Sequence, residues 1–261
     1  CAQFKAEPGD KSANIAAIRR LSRSASDRGC RIVVFPEMAL TGYLPPTEMP
    51  QLAEAPNGPS GTEIAQIAKE YDIAIVYGYP EILEGSEKRA NTFAIIGPDG
   101  EQIGMYRKIH LWDTEAVWCD PGVDVPIYEY EGVKLSGWIC YDTRFPELAR
   151  LEFLAGAELC LVPTAWLGPP SEWDLALRSR ALDNTLFVAG SDLINPLQGL
   201  ECRGLSLIVG PHGEVLARAE PGTECVIDAI IEPQALEAQR SRVPLMRDRK
   251  PDFYHGLIKN T

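Results

Sequence analysis

The chain lacks any uninterrupted apolar run of the roughly 20 residues that a membrane-spanning helix needs. Its start also lacks the basic segment and following apolar stretch of a secretory signal. We therefore expect a soluble, cytoplasmic protein with no membrane partner. Because the first residue is Cys1 and not Met, we also expect that further residues lie upstream.

Positive charge is scarce, since 25 Lys and Arg face 37 Asp and Glu, for a formal net charge of −12. A surface this acidic repels phosphate backbones, so we expect no nucleic-acid partner. The apolar fraction of 45% and the charged fraction of 24% are those of an ordinary folded protein. The composition therefore excludes wholesale disorder.

Cysteine and histidine are too scattered to indicate a disulfide framework or a metal site. The seven cysteines include no C-x-x-C pair, and the three histidines lie far apart. A dinucleotide-binding domain is also excluded, because no G-x-G-x-x-G or G-x-x-x-x-G-K-S/T motif follows a predicted strand.

Two stretches of the chain resemble each other and indicate an internal repeat. Residues 90–101 and 203–214 both read as an apolar strand, a G-P-x-G turn and a returning strand, which predicts a β-hairpin in each half. Two short β-branched strands precede each hairpin. They are predicted at 29–36 and 73–78 in the first half, and at 157–163 and 185–190 in the second.

A helical pattern precedes the first strand of each half. Residues 14–28 place Ile15, Ile18 and Leu21 on one face, and residues 147–155 do the same with Leu148, Leu151 and Leu154. Each half thus reads helix–strand–helix–strand–hairpin. This order predicts an α/β fold, a four-layer α-β-β-α sandwich with an internal pseudo-two-fold repeat. We expect a single domain over residues 1–261, with similar halves at about 1–125 and 126–261.

The repeated strands are unequally spaced, so the first half holds extra residues between its first strand and its second helix. These residues fall within 38–61, a stretch rich in Pro, Gly and Glu. Long loops at the carboxyl end of a strand are usual places for binding and catalysis.

Cys140 lies where an apolar strand ends, shortly before Pro146 begins a predicted helix. A thiol at such a turn is presented at the edge of the sheet, beside backbone N–H groups that are free to bind an oxyanion. A buried structural cysteine is the alternative interpretation.

Two charged residues occupy comparable positions. Glu37 comes just after an almost wholly apolar strand, where an acid is costly unless it is paired or used. Lys108 is predicted within the returning strand of the first hairpin, between apolar neighbours. A surface-loop glutamate and an exposed edge-strand lysine are the alternatives.

Together these three residues suggest acyl transfer. A thiol is mostly protonated at neutral pH and needs a base, yet no histidine occupies a strand end. The carboxylate of Glu37 offers such a base, and Lys108 offers a donor to the developing oxyanion.

Three motifs closely resemble the nitrilase superfamily of carbon–nitrogen hydrolases, and the resemblance covers essentially the whole chain. The motifs are Phe35-Pro36-Glu37 followed by Thr41-Gly42-Tyr43, then Tyr106-Arg107-Lys108-Ile109-His110-Leu111, then Cys140-Tyr141-Asp142-x-Arg144-Phe145-Pro146-Glu147. The resemblance implies an α-β-β-α fold and hydrolysis of an amide, carbamoyl or nitrile group through a thioester. It implies Cys140 as nucleophile, Glu37 as general base and acid, and Lys108 as oxyanion stabiliser beside the backbone N–H of Tyr141.

The resemblance also implies a second glutamate shortly after the lysine motif, and Glu115 fits this position. Glu115 would orient Lys108 or the nitrogen of the substrate, with an ordinary loop acid as the alternative. Trp166 is expected to line the substrate site, because it follows the second-half equivalent of the strand before Glu37. Tyr43 and Trp112 are further candidates for this lining.

Four other residues near these motifs are expected to have structural roles. We predict that Asp142 and Arg144 fix the turn around Cys140, and that His110 and Cys119 pack or hydrogen-bond without taking part in the chemistry.

The sequence therefore predicts an amidase, without metal or cofactor, that acts on a small amide or carbamoyl substrate and releases ammonia. A nitrilase that converts a nitrile to an acid would use the same residues. A catalytically silent binding or assembly protein is a further alternative, although it predicts a damaged triad. The resemblance also implies a homodimer or larger homo-oligomer, packed through the helix after Cys140 and the C-terminal arm.

Overall fold

Short β-strands form the centre of the fold in the computed structural model, which describes residues 1–197 and 200–257. The strands are β1 (Ala2–Gln3), β2 (Ile32–Val34), β3 (Ala74–Ile82), β4 (Arg89–Ile96), β5 (Gln102–Arg107), β6 (Tyr128–Tyr130), β7 (Val133–Gly137), β8 (Leu159–Thr164), β9 (Phe187–Asp192), β10 (Ile194–Leu197), β11 (Leu200–Arg203), β12 (Leu207–Val209), β13 (Val215–Arg218) and β14 (Cys225–Val226).

Two larger sheets account for most of these strands. One has four strands in the order β2-β3-β4-β5, and the other has six in the order β13-β12-β9-β8-β7-β6. The pairs β2–β3, β7–β8 and β8–β9 are parallel, and the other pairs in both sheets are antiparallel. Two short antiparallel pairs, β1–β14 and β10–β11, lie outside these sheets.

The helices lie between the strands in the chain. They are α1 (Lys11–Asp27), α2 (Pro59–Tyr71), α3 (Glu115–Trp118), α4 (Pro146–Leu154), α5 (Pro170–Asn184), α6 (Pro233–Arg242) and α7 (Leu245–Asp248), with 3-10 helices at Met49–Leu52, Cys140–Arg144, Pro251–Phe253 and His255–Leu257. Proline is the first residue of four of the longer helices. The backbone N–H at this position has no partner within a helix, so its absence in proline costs no hydrogen bond. Within residues 1–197 and 200–257, no helix is long and apolar enough to cross a bilayer.

The alternation of side chains along the strands builds the layers. Val33 and Ile75 pack in one core with Ile15, Ile18 and other apolar residues of α1 and α2. The next residue on each strand points to the opposite face of a sheet. Val34 accordingly belongs to a second core, which joins the two sheets to each other.

The outer face of the six-stranded sheet is covered by α4 and α5. Phe153 and Trp173 from these helices share the second core with Leu161 of β8 and Val188 of β9. The layers therefore follow the order helix, sheet, sheet, helix, and the predicted α-β-β-α sandwich is confirmed. The pseudo-two-fold relation between the halves stays a prediction.

Several predicted boundaries differ from the structure. Helix α1 begins at Lys11 and not at residue 14, because the side chain of Asp10 caps it by accepting a hydrogen bond from the backbone N–H of Ala13 at 2.9 Å. The second half also holds the additional β10–β11 hairpin before its predicted hairpin.

The predicted apolar face of α4 is wrong. Leu148 is buried, but Leu151 is 53% exposed and Leu154 is only partly buried. The buried face instead includes Leu148, Phe153 and the carboxyl side chain of Glu152, a polar residue that was not among the predicted core positions.

Candidate active site

Four of the candidate residues lie at one end of the two sheets, because each of the four follows the carboxyl end of a strand. Glu37 comes after β2, Lys108 directly after β5, Cys140 after β7 and Trp166 after β8. Glu115 opens the short helix α3, seven residues beyond Lys108. The five positions that the sequence suggested from separate segments are thus gathered at one cavity.

Glu37, Lys108 and Glu115 form a buried ionic cluster. The Lys108 Nζ donates to Glu37 Oε1 at 2.9 Å and to Glu115 Oε2 at 2.7 Å. The three residues are 0%, 2% and 5% exposed, respectively. A lysine this deeply buried is tolerated because both of its carboxylate partners lie within hydrogen-bond distance.

The charges in this cluster perturb one another. Burial alone disfavours the ammonium of Lys108, but the carboxyl groups of Glu115 and Glu37 outweigh burial and raise its pKa well above its usual value. Burial raises the pKa of Glu115, although Lys108 opposes this change. Lys108 therefore remains a fixed cation in the site at neutral pH.

The backbone around Glu37 is folded tightly against β3. Met38 adopts a left-handed conformation with φ of 52°, which turns the chain directly after the carboxylate. A side chain at Gly78 on β3 would lie 2.6 Å from the backbone nitrogen of Met38, so glycine is required for this close approach. The second carboxylate oxygen of Glu37 accepts a hydrogen bond from the backbone N–H of Ala165 at 3.0 Å.

Cys140 occupies a strained turn at the end of β7. Its φ is 46°, in the left-handed region that a non-glycine residue rarely adopts, and it opens the 3-10 helix Cys140–Arg144. The Sγ atom lies 3.7 Å from the carbonyl oxygen of Ala165 and faces the cavity. Backbone strain of this kind is found at nucleophile turns, where it holds the reactive atom out of the sheet.

The thiol of Cys140 is held in its protonated form. Burial raises its pKa well above the usual value, and the nearby carboxylate of Glu37 adds to the effect, while Lys108 opposes it. A thiol in this state needs a base at the moment of reaction.

Asp142 fixes the turn by accepting several hydrogen bonds. Its Oδ2 accepts from the backbone N–H of Ile139 at 3.1 Å and from the hydroxyl of Tyr106 at 2.7 Å. Its Oδ1 accepts from the backbone N–H of His110 at 2.8 Å. The His110 ring stacks on Phe145 with centroids 3.6 Å apart, so these residues support the turn as predicted.

A cavity of about 220 Å³ opens onto the cluster and the thiol. The four residues predicted to bind substrate, Tyr43, Trp112, Tyr141 and Trp166, all line it. Leu44 and Pro46 also contribute, so the extra residues of the first half reach the cavity. The backbone N–H of Trp166 donates to Asp192 Oδ1 at 2.8 Å, which holds this segment in place.

Two expectations about these residues are wrong. Lys108 does not lie within the returning strand, since β5 ends at Arg107 and Lys108 is the next residue. Arg144 does not fix the turn, because its guanidinium lies 4.8 Å from the centre of the Trp166 ring, forms an ion pair with Glu172 and lines the cavity.

Three residues of the site, Asn91, Asp192 and Trp118, were not predicted from the sequence. The amide of Asn91 contacts both glutamates of the cluster, Asp192 holds the Trp166 segment, and Trp118 lines the cavity. The only available signal was a polar residue within an apolar strand, which Asn91 and Asp192 both show. Trp118 gave no signal of its own.

This arrangement is suited to acyl transfer. It combines a thiol, a carboxylate and a fixed cation around a small cavity, which are the elements of nucleophilic catalysis with oxyanion stabilisation. In the part of the chain that the structure describes, no group of three or more His, Cys, Asp or Glu side chains is arranged to hold a metal ion.

Comparison with known proteins identifies the class. The family model described as carbon-nitrogen hydrolase matches residues 1–241. The omega-amidase NIT2 of Xenopus tropicalis is 36% identical over 97% of this chain and 94% of its own length. The human omega-amidase NIT2 is 34% identical over 95% and 94%. A probable nitrilase of Schizosaccharomyces pombe is 35% identical over 89% and 87%.

Solved structures show the same fold. An amidase of the nitrilase superfamily from Nesterenkonia matches with a TM-score of 0.79 at 28% identity, covering 94% of this chain and 95% of that one. A second structure of this amidase, with acrylamide added to its active-site cysteine, has a TM-score of 0.80 at 29% identity and covers 94% and 97%.

The fold and these relatives define an enzyme that hydrolyses the C–N bond of an amide at a cysteine. The chain belongs to the carbon-nitrogen hydrolase family. Within that family it is an amidase-type hydrolase.

Proposed function

We propose that the protein hydrolyses a small primary amide or carbamoyl compound and releases ammonia, with Cys140 as the nucleophile. The observation that carries this proposal is the convergence of the Cys140 thiol with Glu37 and Lys108 at one cavity. The cavity of about 220 Å³ is below the range of typical drug-sized pockets, which favours a small substrate.

In the first half of the reaction, Glu37 accepts the proton of the Cys140 thiol, and the sulfur attacks the carbonyl carbon of the substrate. The oxyanion that forms is stabilised by Lys108 and by the backbone N–H of Tyr141. Glu37 then returns the proton to the nitrogen, the C–N bond breaks and ammonia leaves. The product at this stage is a thioester on Cys140.

In the second half, Glu37 accepts a proton from a water molecule, whose oxygen attacks the thioester carbonyl. The tetrahedral intermediate collapses, the C–S bond breaks, and the proton held by Glu37 returns to the sulfur. Glu115 hydrogen-bonds Lys108 at 2.7 Å, so its role is to hold the ammonium where the oxyanion develops.

A nitrilase activity is the second candidate. The same thiol adds to a nitrile carbon to give a thioimidate, and a relative from Schizosaccharomyces pombe carries the name probable nitrilase. Several of the other relatives are omega-amidases, and similar solved structures are amidases, which favours an amide substrate.

The proposal is tested by incubating the protein with matched primary amides, carbamoyl compounds and nitriles while ammonia is measured. We expect ammonia from an amide or carbamoyl compound, and at least about a 10³-fold loss in the Cys140→Ala variant. Cys30→Ala is the matched control, because Cys30 is also half-buried but precedes β2, at the end opposite to Glu37. Turnover of nitriles alone, or retained activity without Cys140, would contradict the proposal.

We also infer that copies of the chain associate through α4, α5 and the C-terminal arm. Leu151 on α4 and Leu182 on α5 are 53% and 50% exposed, and Phe253 in the arm is 84% exposed. Exposed apolar residues of this size favour association. Light scattering tests this inference: we expect a dimer or larger oligomer that Leu182→Glu weakens, whereas a monomer at high concentration would contradict it.

A further inference from the structure

The amide of Asn91 bridges the two glutamates of the ionic cluster. Its Nδ2 donates to Glu37 Oε1 at 2.7 Å and to Glu115 Oε1 at 2.8 Å. Asn91 is 1% exposed, so water does not compete for these hydrogens. Both acceptors are carboxylate oxygens, which decides that the NH₂ group, and not the carbonyl, faces them.

Strand pairing places this amide beside the ammonium of Lys108. Asn91 lies on β4, and its carbonyl oxygen accepts a hydrogen bond from the backbone N–H of Lys108 at 2.8 Å. The two side chains are therefore neighbours by virtue of the sheet. Glu37 and Glu115 are bridged twice, once by an ammonium and once by an amide.

The absence of charge on the amide has a consequence for the chemistry. Two carboxylates this close repel each other, and Lys108 supplies only one positive charge. A second cation at position 91 would neutralise the pair and weaken Glu37 as a proton acceptor. The amide of Asn91 donates two hydrogen bonds without adding positive charge. It therefore holds the side chains of Glu37 and Glu115 and leaves Glu37 the negative charge that a base needs.

The amide also has no competing contact. Its Oδ1 has no hydrogen-bond partner within the described residues, although it is fully buried. A buried carbonyl without a partner costs free energy, so the contacts of the NH₂ group outweigh that cost.

We propose that Asn91 is a positioning residue, which holds Glu37 and Glu115 at the separation and orientation that let Glu37 exchange a proton with the thiol of Cys140. This inference rests on the proposed function, because it assigns Asn91 a role through Glu37. Asn91 itself does not line the cavity.

Other titratable or charged groups that face Glu37 also contribute to the pH dependence of the rate. Besides Asn91, they are Lys108, Glu115, Tyr43, Asp192 and the thiols of Cys119, Cys140 and Cys202. None of these groups is itself replaced in the Asn91 variants, and among them only Glu115 loses a hydrogen bond from the amide. A change in the pH dependence of the rate then reports the loss of the amide.

The test compares kcat/KM against pH for Asn91→Leu, which has a similar volume but no donor, and for Asn91→Asp, which is isosteric and adds an acid. We expect Asn91→Leu to lose activity by about 10²-fold, as for a small misplacement of a catalytic group. The acid limb should also move to higher pH, because the two bridged carboxyl groups lose a donor that favours their ionised forms. Asn91→Asp should move the limb further in the same direction.

Two control variants make the result decisive. Asn184→Leu replaces another asparagine that is 1% exposed and has an unpartnered Oδ1, but its Nδ2 donates to the carbonyl of Arg180 at the end of α5. It should keep the wild-type profile. If Cys140→Ala remains active, the proposed function fails; if it is inactive, the role of Asn91 is judged separately.

The inference is overturned if both Asn91 variants show the wild-type acid limb, even with a lower maximum, because a merely structural role predicts that result. If circular dichroism shows that Asn91→Leu does not fold, the isosteric Asn91→Asp is used instead. The acid limb of its kcat/KM profile then tests the inference.

Discussion

Replacing Glu152 by Gln should stabilise the protein at neutral and alkaline pH. Glu152 lies on α4 and is fully buried, and its Oε2 accepts a hydrogen bond from the Cys160 thiol on β8 at 3.0 Å. Burial raises its pKa from 4.5 to about 8, against hydrogen bonds that favour the charged form, and the charge of Asp142 adds to the rise. Glutamine keeps the shape and an acceptor for Cys160 without an ionisable group.

The sign of the effect follows from proton binding. Between pH 4.5 and about 8 the carboxyl group is ionised in the unfolded chain but protonated in the folded one. The folded state therefore loses stability as the pH rises through this window, and the loss is complete above it. Each pKa unit corresponds to about 1.4 kcal/mol, so the change from 4.5 to about 8 amounts to about 5 kcal/mol.

Urea unfolding at a series of pH values measures this effect. The difference in free energy of unfolding between Glu152→Gln and the wild type should grow by about 4 kcal/mol from pH 5 to pH 8.5. Burial also raises the pKa of Asp192 to about 8, but Asp192 titrates in both proteins and cancels from the difference. The exposed Glu147 on the same helix provides the control Glu147→Gln. A difference that stays constant with pH would contradict the protonation of Glu152 in the folded state.

Three further predictions concern the ionic cluster. Glu37→Gln keeps the shape but cannot accept the thiol proton, so kcat should fall by about 10²–10⁴-fold in steady-state assays; a near-normal rate together with an inactive Glu115→Gln would reverse their roles. Lys108→Met removes a donor of about 3–4 kcal/mol to the oxyanion, so single-turnover kinetics should show slower acylation with little change in substrate affinity; loss of affinity alone would contradict this. Glu115→Gln retains much of the hydrogen bonding but changes the charge beside Lys108, so its effect on kcat/KM should vary among substrates, whereas a uniform loss would argue for a direct role.

The positions of the reactive residues were predictable because each follows a strand that the apolar pattern reveals. Glu37 and Cys140 come directly after β-branched or apolar segments of the two sheets, and both residues line the same cavity. The placement of Lys108 was less accurate, since the pattern did not show that β5 ends at Arg107.

The contacts between distant segments could not be predicted. Asn91 reaches Glu37 across 54 positions in the chain, and only the register of β4 in the sheet brings them together. Arg144 follows the cysteine motif closely, yet its direction depends on Trp166 and Glu172, which lie on later segments. Sequence spacing fixes which element a residue belongs to, but tertiary packing decides what its side chain touches.

The apolar face of α4 was mispredicted for a related reason. The prediction rested on the spacing of leucines, because Leu151 and Leu154 lie at helical spacing from Leu148. The structure buries Glu152 instead, because Cys160 on β8 provides a hydrogen-bond donor at that position. A polar residue can replace an apolar one in a core when a partner is available, and the partner lies outside the local pattern.

The role of Cys140 as the nucleophile is tested most directly by mass spectrometry of the protein quenched during turnover of an amide substrate. We expect an added mass equal to the acyl group, on the peptide that contains Cys140, with no such adduct in Cys140→Ala. Two results would contradict the assignment of Cys140 as the nucleophile. One is turnover without an acyl group on Cys140, both in wild-type protein and in Glu37→Gln. The other is an acyl group on another cysteine, such as Cys119.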